Sequence, residues 1–121
     1  IDESYNANPA SMAAALALLG GATGRKVAVL GDMLEMGEGG LAHHAGLAAP
    51  IEANRVDLVF AAGAQMRALW EALPPSRRGA YAPTAAELAP QVIAALRPGD
   101  TVLIKGSNGS RMSLILDALK V

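Results

Sequence analysis

Three short segments concentrate the side chains capable of chemistry. In Asp2-Glu3-Ser4-Tyr5-Asn6-Ala7-Asn8-Pro9, carboxylates, a hydroxyl, a phenol and amides lie between a strand end and a helix start. A strand-end carboxylate can hold a sugar diol through two hydrogen bonds, and amides at a helix start offer donors and acceptors. Simple capping accounts for the same residues: Asn8 as helix cap, Asn6 in a turn, the acids in water. In Gly31-Asp32-Met33-Leu34-Glu35-Met36-Gly37-Glu38, Gly31 lets the backbone approach a ligand and Asp32 is placed to orient a cation or an amine. Met33, Leu34 and Met36 are too apolar for an idle solvated loop, so either this domain's own edge or a neighbouring domain covers them. The acids here lack the spacing of a calcium loop, and metal binding is not expected. In Lys105-Gly106-Ser107-Asn108-Gly109-Ser110-Arg111-Met112, a small polar turn feeds a helix, with backbone N–H groups and a lysine available to an anion. A purely structural turn is the weaker explanation, because it leaves Lys105 beside a buried strand end without a partner.

Other candidates carry less. His43 and His44 are adjacent, so on a helix they face different ways and do not chelate one metal, which calls for positions i and i+4. One exposed and one partly packed histidine is the expectation. Met12, Met66 and Met112 fall on expected helices and read as core filler. Neither G-x-x-x-x-G-K-[ST] nor G-x-G-x-x-G occurs, so the turn after Lys105 cannot be credited with gripping a triphosphate alone.

The elements that must position these segments alternate between strand and helix types, the pattern of an α/β fold with a mainly parallel sheet. Strands are expected at 1–3, 25–30, 56–61, 79–82 and 101–104. Helices are expected at 9–19, with Asn8 as cap and Pro9 at its first position, at 41–49, at 64–73, at 84–96 under a Thr84 cap, and after Ser110 to Lys120. Pro50 either kinks the second helix or opens a further piece running to Asn54. The elements assemble into a Rossmann-like three-layer αβα sandwich, whose ligands sit outside the carboxyl ends of the strands. The segments after Glu3, Leu30 and Ile104 all leave such ends.

Composition bounds the rest. The 121 residues are one domain's worth, 52% hydrophobic but only 3% aromatic, with 26 alanines, so Leu, Val, Ile, Met and Ala must build the core. Disorder is ruled out. Ten basic against eleven acidic residues give a net charge of −1, which argues against nucleic acid as main partner. No apolar run reaches the roughly 20 residues of a membrane span. The absence of cysteine excludes disulfides and thiolate chemistry and fits a cytoplasmic protein. The start at Ile1, with no secretory signal and as though midway through a strand, reads as a segment cut from a longer protein.

The SYNANP run with Ser11 and Met12, the VLGDMLEMGE run with His44 downstream, and Lys105-Gly106-Ser107 together closely resemble the C-terminal domain of the Mur ligases. Within them the match is to the branch that adds D-alanyl-D-alanine to UDP-N-acetylmuramoyl-tripeptide in peptidoglycan precursor synthesis, and it spans essentially the whole chain in order. The resemblance implies residues 1–121 as the C-terminal domain of a three-domain ligase. A central domain would supply the P-loop and hold most of the ATP and Mg²⁺, and an N-terminal one would take the UDP-sugar. ATP would phosphorylate the tripeptide carboxylate, the dipeptide amine would attack the acyl phosphate, and the tetrahedral adduct would expel phosphate. This domain would close over the site, complete the nucleotide pocket and present the dipeptide, excluding water from the acyl phosphate. Carried over, the acid before Ser4 reaches the ATP ribose. It is Glu3 where the family usually has Asp, which leaves Asp2 or Glu3 open. Tyr5, Asn6 and Asn8 lie near the nucleotide. Lys105, Ser107, Asn108 and Ser110 face the dipeptide, Lys105 pairing its carboxylate, and Asp32 orients the amine. Asn108 stands where the family often has Arg. The other reading open at this point is a free-standing Rossmann-like module that binds a nucleotide or peptide without catalysis.

Overall fold

The computed structural model describes residues 2–3, 7–34, 39–107 and 110–119, residues 2 and 3 as backbone. Its strands are β1 (Asp2–Glu3), β2 (Lys26–Gly31), β3 (Leu58–Ala62), β4 (Arg78–Ala82) and β5 (Thr101–Lys105). They form a sheet of order β1-β5-β2-β3-β4 in which every pairing is parallel. The helices are α1 (Pro9–Gly20), α2 (Gly40–Ala45), α3 (Ala48–Ala53), α4 (Met66–Ala72), α5 (Ala85–Ala95) and α6 (Ser113–Leu119), with a 3₁₀ turn at Pro75–Arg77.

The period-two alternation of the strands sorts the core into two layers. Ala28, Leu30, Val59, Ala61 and Leu103 face one side, with Met12, Leu16 and Leu19 of α1, Ile51 of α3, and Met66 and Leu69 of α4. Val27, Val29, Phe60, Ala62 and Ile104 face the other, against Leu88 and Val92 of α5 and Ile115 of α6. Both longer helices bury one stripe at i, i+3, i+4 and i+7: Met12, Ala15, Leu16 and Leu19 in α1, and Ala85, Leu88, Ala89 and Val92 in α5. The expected three-layer αβα sandwich is therefore the observed fold, with helices on both faces as a parallel sheet requires. Met12, Met66 and Met112 are all fully buried.

Helix starts follow the local chemistry. Asn8 Oδ1 accepts from Ser11 N at 2.8 Å while Ser11 Oγ accepts from Asn8 N at 3.0 Å, a reciprocal capping box ahead of Pro9. Thr84 Oγ1 accepts from Glu87 N at 3.2 Å and caps α5. The helix expected over 41–49 ends earlier, at Gly46, and Pro50 falls in the first turn of α3, where no intrahelical N–H is required of it. The helix expected over 64–73 begins at Met66, and the amides of Gln65 and Met66 at its start are taken by the Asp32 carboxylate. The last helix begins at Ser113 rather than directly after Ser110: Arg111 adopts a left-handed φ of 60°, which interrupts helical geometry.

Candidate functional site

The loops leaving β2, β3 and β4 at their carboxyl ends, with the turn into α6, enclose a cleft of about 410 Å³. That size falls within the range of roughly 300–1,000 Å³ usual for small-molecule sites. Asp32 and Leu34 come from the loop after β2, Ala62-Gly63-Ala64 from the end of β3, Pro83-Thr84-Ala85-Ala86 from the start of α5, and Ser110, Arg111 and Leu114 from the approach to α6.

Asp32 is the acidic member of this wall and is 8% exposed. Its two oxygens accept from Met66 N at 2.9 Å and Gln65 N at 3.3 Å, so the carboxylate caps α4 and satisfies amides that no helical carbonyl reaches. Each oxygen keeps a further lone pair. The neighbouring wall is built to fit this group. Gly63 has φ +114°, and a Cβ there would stand 2.3 Å from Asp32 Oδ1. Its carbonyl accepts from the Tyr81 hydroxyl at 2.8 Å. Burial, and next the negative charge of Asp32, push the Tyr81 phenol above its ordinary pKa, which keeps the donor proton in place. Behind it the Tyr81 and Trp70 rings lie 6.2 Å apart, and the Arg78 guanidinium sits 5.5 Å over the Trp70 ring.

Ser107 ties together all three segments that the sequence singles out. Its hydroxyl accepts from Leu34 N at 2.9 Å and donates to Ala7 O at 3.4 Å, and its amide donates to Asp32 O at 3.1 Å. Ser110 N and Oγ in turn donate to Ser107 O, at 2.8 and 2.5 Å. Gly31 and Gly106 permit this closeness: a Cβ at either would lie 2.6 Å from the Met112 side chain. The space above Gly31 is thus filled by Met112 and Ser110 rather than left open for a ligand. On the flank, buried His44 accepts from Met33 N at Nε2 (2.9 Å) and pairs through Nδ1 with Gly40 O (2.6 Å), which makes it the Nδ1–H tautomer. His43 is exposed, and Met33 is fully buried in this domain's own core.

Of the residues selected from sequence, Asp32 and Ser110 line the cleft and Ser107 braces it from behind. Lys105 is 1% exposed, engaged by its surroundings, and not part of the cleft wall. Exposed Asn8 stands at the α1 cap, its amide nitrogen unused among the described residues. The side chains of Asp2 and Glu3, together with Tyr5, Asn6, Met36 and Asn108, lie outside the described residues; β1 sets Glu3 in register with Lys105. Sequence reasoning missed the walls after β3 and β4, and Arg111. Gly63 directly after a buried strand, and Thr84 at a helix start, were the available signals. Among the described residues, no group of three or more His, Asp or Glu side chains could hold a metal ion, and no helix is long and apolar enough to cross a membrane.

Comparison with known proteins agrees with this architecture. The family described as "Mur ligase, glutamate ligase domain" matches residues 1–108. The UDP-N-acetylmuramoyl-tripeptide–D-alanyl-D-alanine ligase of Mycobacterium tuberculosis H37Rv is 34% identical over 142 aligned positions, covering 98% of this chain and 28% of that protein. The ligase of the same name from Escherichia coli K12 is 33% identical, covering 99% of this chain and 26% of that protein. The chain thus spans about a quarter of the length of these relatives. Among solved structures, MurF from Acinetobacter baumannii matches with a TM-score of 0.85 at 31% identity, over 98% of this chain and 26% of that one. MurF ligase from Thermotoga maritima in complex with ADP matches in fold, with a TM-score of 0.83 at 23% identity over 99% of this chain and 27% of that one. With the family matched over residues 1–108 and the same fold in its solved members, the chain belongs to the Mur ligase family, as a C-terminal domain whose whole-chain homologues are MurF.

Proposed function

We propose that this chain is the C-terminal domain of a cytoplasmic ligase that joins D-alanyl-D-alanine to UDP-N-acetylmuramoyl-tripeptide at the expense of ATP. The observation that carries this reading is similarity along the entire chain, at 33–34% identity, to ligases of that name. The cleft supports it: a pocket at the carboxyl ends of parallel strands, mostly apolar and small-lined, suits a short peptide of small side chains. In this reading the dipeptide occupies the cleft with its amine toward Asp32 and beside Ser110, and Lys105, Ser107 and Asn108 belong to the segment on the dipeptide side. Asp2 or Glu3 meets the ATP ribose, with Tyr5, Asn6 and Asn8 nearby. The phosphate cradle and Mg²⁺ belong to the central domain, because this chain has no P-loop sequence. The dipeptide amine attacks the acyl carbon of the tripeptide acyl phosphate, its proton leaves, and the C–O bond to phosphate breaks.

The test is phosphate release by the full-length protein with ATP, Mg²⁺ and the muramoyl tripeptide, with and without D-alanyl-D-alanine. Release that depends on the dipeptide is expected, with none from residues 1–121 alone. Absent release by the full-length protein would favour a binding module without catalysis, and dipeptide-independent release would remove the dipeptide as the acceptor.

A further inference from the structure

We propose that Arg111 holds the carboxylate of the incoming dipeptide, an assignment that rests on the functional reading above. A free dipeptide is a zwitterion, so a pocket that selects it must offer an acceptor at one end and a cation at the other. Among the described residues, the cleft wall carries two charged side chains, Asp32 and Arg111, and is otherwise neutral. Asp32 is anchored by the α4 amides and fixes the acidic end. Arg111 is exposed, and among the described residues its guanidinium makes no hydrogen bond or ion pair. A guanidinium presents two parallel N–H donors that match the two oxygens of a carboxylate, and it remains charged at any working pH. Its backbone φ of 60°, a conformation that side-chain-bearing residues seldom adopt, sets the side chain on the turn that forms the wall. Lys105, the other cation of this segment, is 1% exposed, already engaged and absent from the wall.

The full-length protein is assayed with D-alanyl-D-alanine and with its C-terminal carboxamide, which keeps shape and amine but loses the negative charge. Wild type is expected to show a KM for the amide roughly 10- to 100-fold above that for the acid, the range of a charge-assisted hydrogen bond. Arg111→Ala is expected to raise the acid KM to the amide's level while leaving the amide KM and the ATP KM in place. Arg111→Lys should restore part of the gap. An active Arg111→Ala enzyme that still prefers the acid would overturn the assignment and leave the ligase reading intact, as would a preference that disappears only in Lys105→Ala. Absence of dipeptide-dependent turnover in wild type would overturn both.

Discussion

At the residue scale, side chains that look like chemistry often turn out to hold backbone. Asp32 spends both oxygens on α4 amides, Ser107 bridges three loops, and Asn8 closes a capping box. Asp32→Ala should therefore destabilise the fold by about 1–2 kcal/mol, the usual loss for a helix cap, visible as a lower urea midpoint at unchanged slope. Equal midpoints for mutant and wild type would show that the cap contributes nothing. Glu3→Ala in the full-length protein is expected to raise the KM for ATP more than that for the dipeptide; steady-state kinetics in both substrates check it, and an unchanged ATP dependence removes Glu3 from the nucleotide site. The residue types were legible in the sequence, but their partners were not. No local rule says that the carboxylate of Asp32 will meet amides more than thirty residues later.

At the scale of elements, loops from separate strands reach one site only because small or unusually shaped residues let them touch. Gly63→Ala places a Cβ 2.3 Å from Asp32 Oδ1 at a φ of +114°, so either the carboxylate or the turn must move. A loss of at least about 1 kcal/mol is expected, with a larger fractional loss of dipeptide affinity than of ATP affinity in kinetic assays. His44 is a second such tie, since its neutral ring joins the loop after β2 to the start of α2. His44→Phe keeps an aromatic ring but strands the buried Met33 amide, and should cost about 1–3 kcal/mol in chemical denaturation. His43→Ala, on the exposed side, should cost almost nothing. Strands and helices were readable to within a few residues because alternation, caps and prolines are local signals. The starts of α4 and α6 were not, since a distant carboxylate caps one and a left-handed Arg111 precedes the other.

Across the whole molecule, the end of the sheet opposite the cleft is clamped by the Arg25–Asp100 ion pair, with the Arg77–Glu52 pair at the same end. Arg25 Nε and Nη2 donate to the two oxygens of Asp100 at 2.9 and 2.7 Å, and Arg25 Nη2 also donates to Ala95 O, joining β2 to the turn before β5. The hydrogen bond from Arg25 lowers the Asp100 pKa below its ordinary value, burial opposes this, and the Arg97 amide adds to the lowering. A carboxyl lowered in the folded state stabilises fully above its unfolded pKa of about 4, and loses that contribution as pH falls through the lower folded value. Wild type should therefore exceed Asp100→Asn in Tm by a constant margin at neutral pH, and the margin should shrink below about pH 4. Thermal melts from pH 7 to pH 3 check this; a margin independent of pH would mean that the charge of Asp100 does not contribute.

What the sequence determined by itself is the architecture and the neighbourhood of function. Alternating apolar strands and capped helices admit few arrangements other than a parallel sheet covered on both faces, and such a sheet directs its strand ends, and Asp32 and Ser110 with them, to one rim. Tertiary structure alone decided which side chains face the cleft. Lys105 ends β5 and Arg111 lies six residues on, yet the first is buried and the second stands on the cleft wall. That choice depends on where β5 lies in the sheet and on one left-handed backbone angle, neither of which a string of residue types encodes locally.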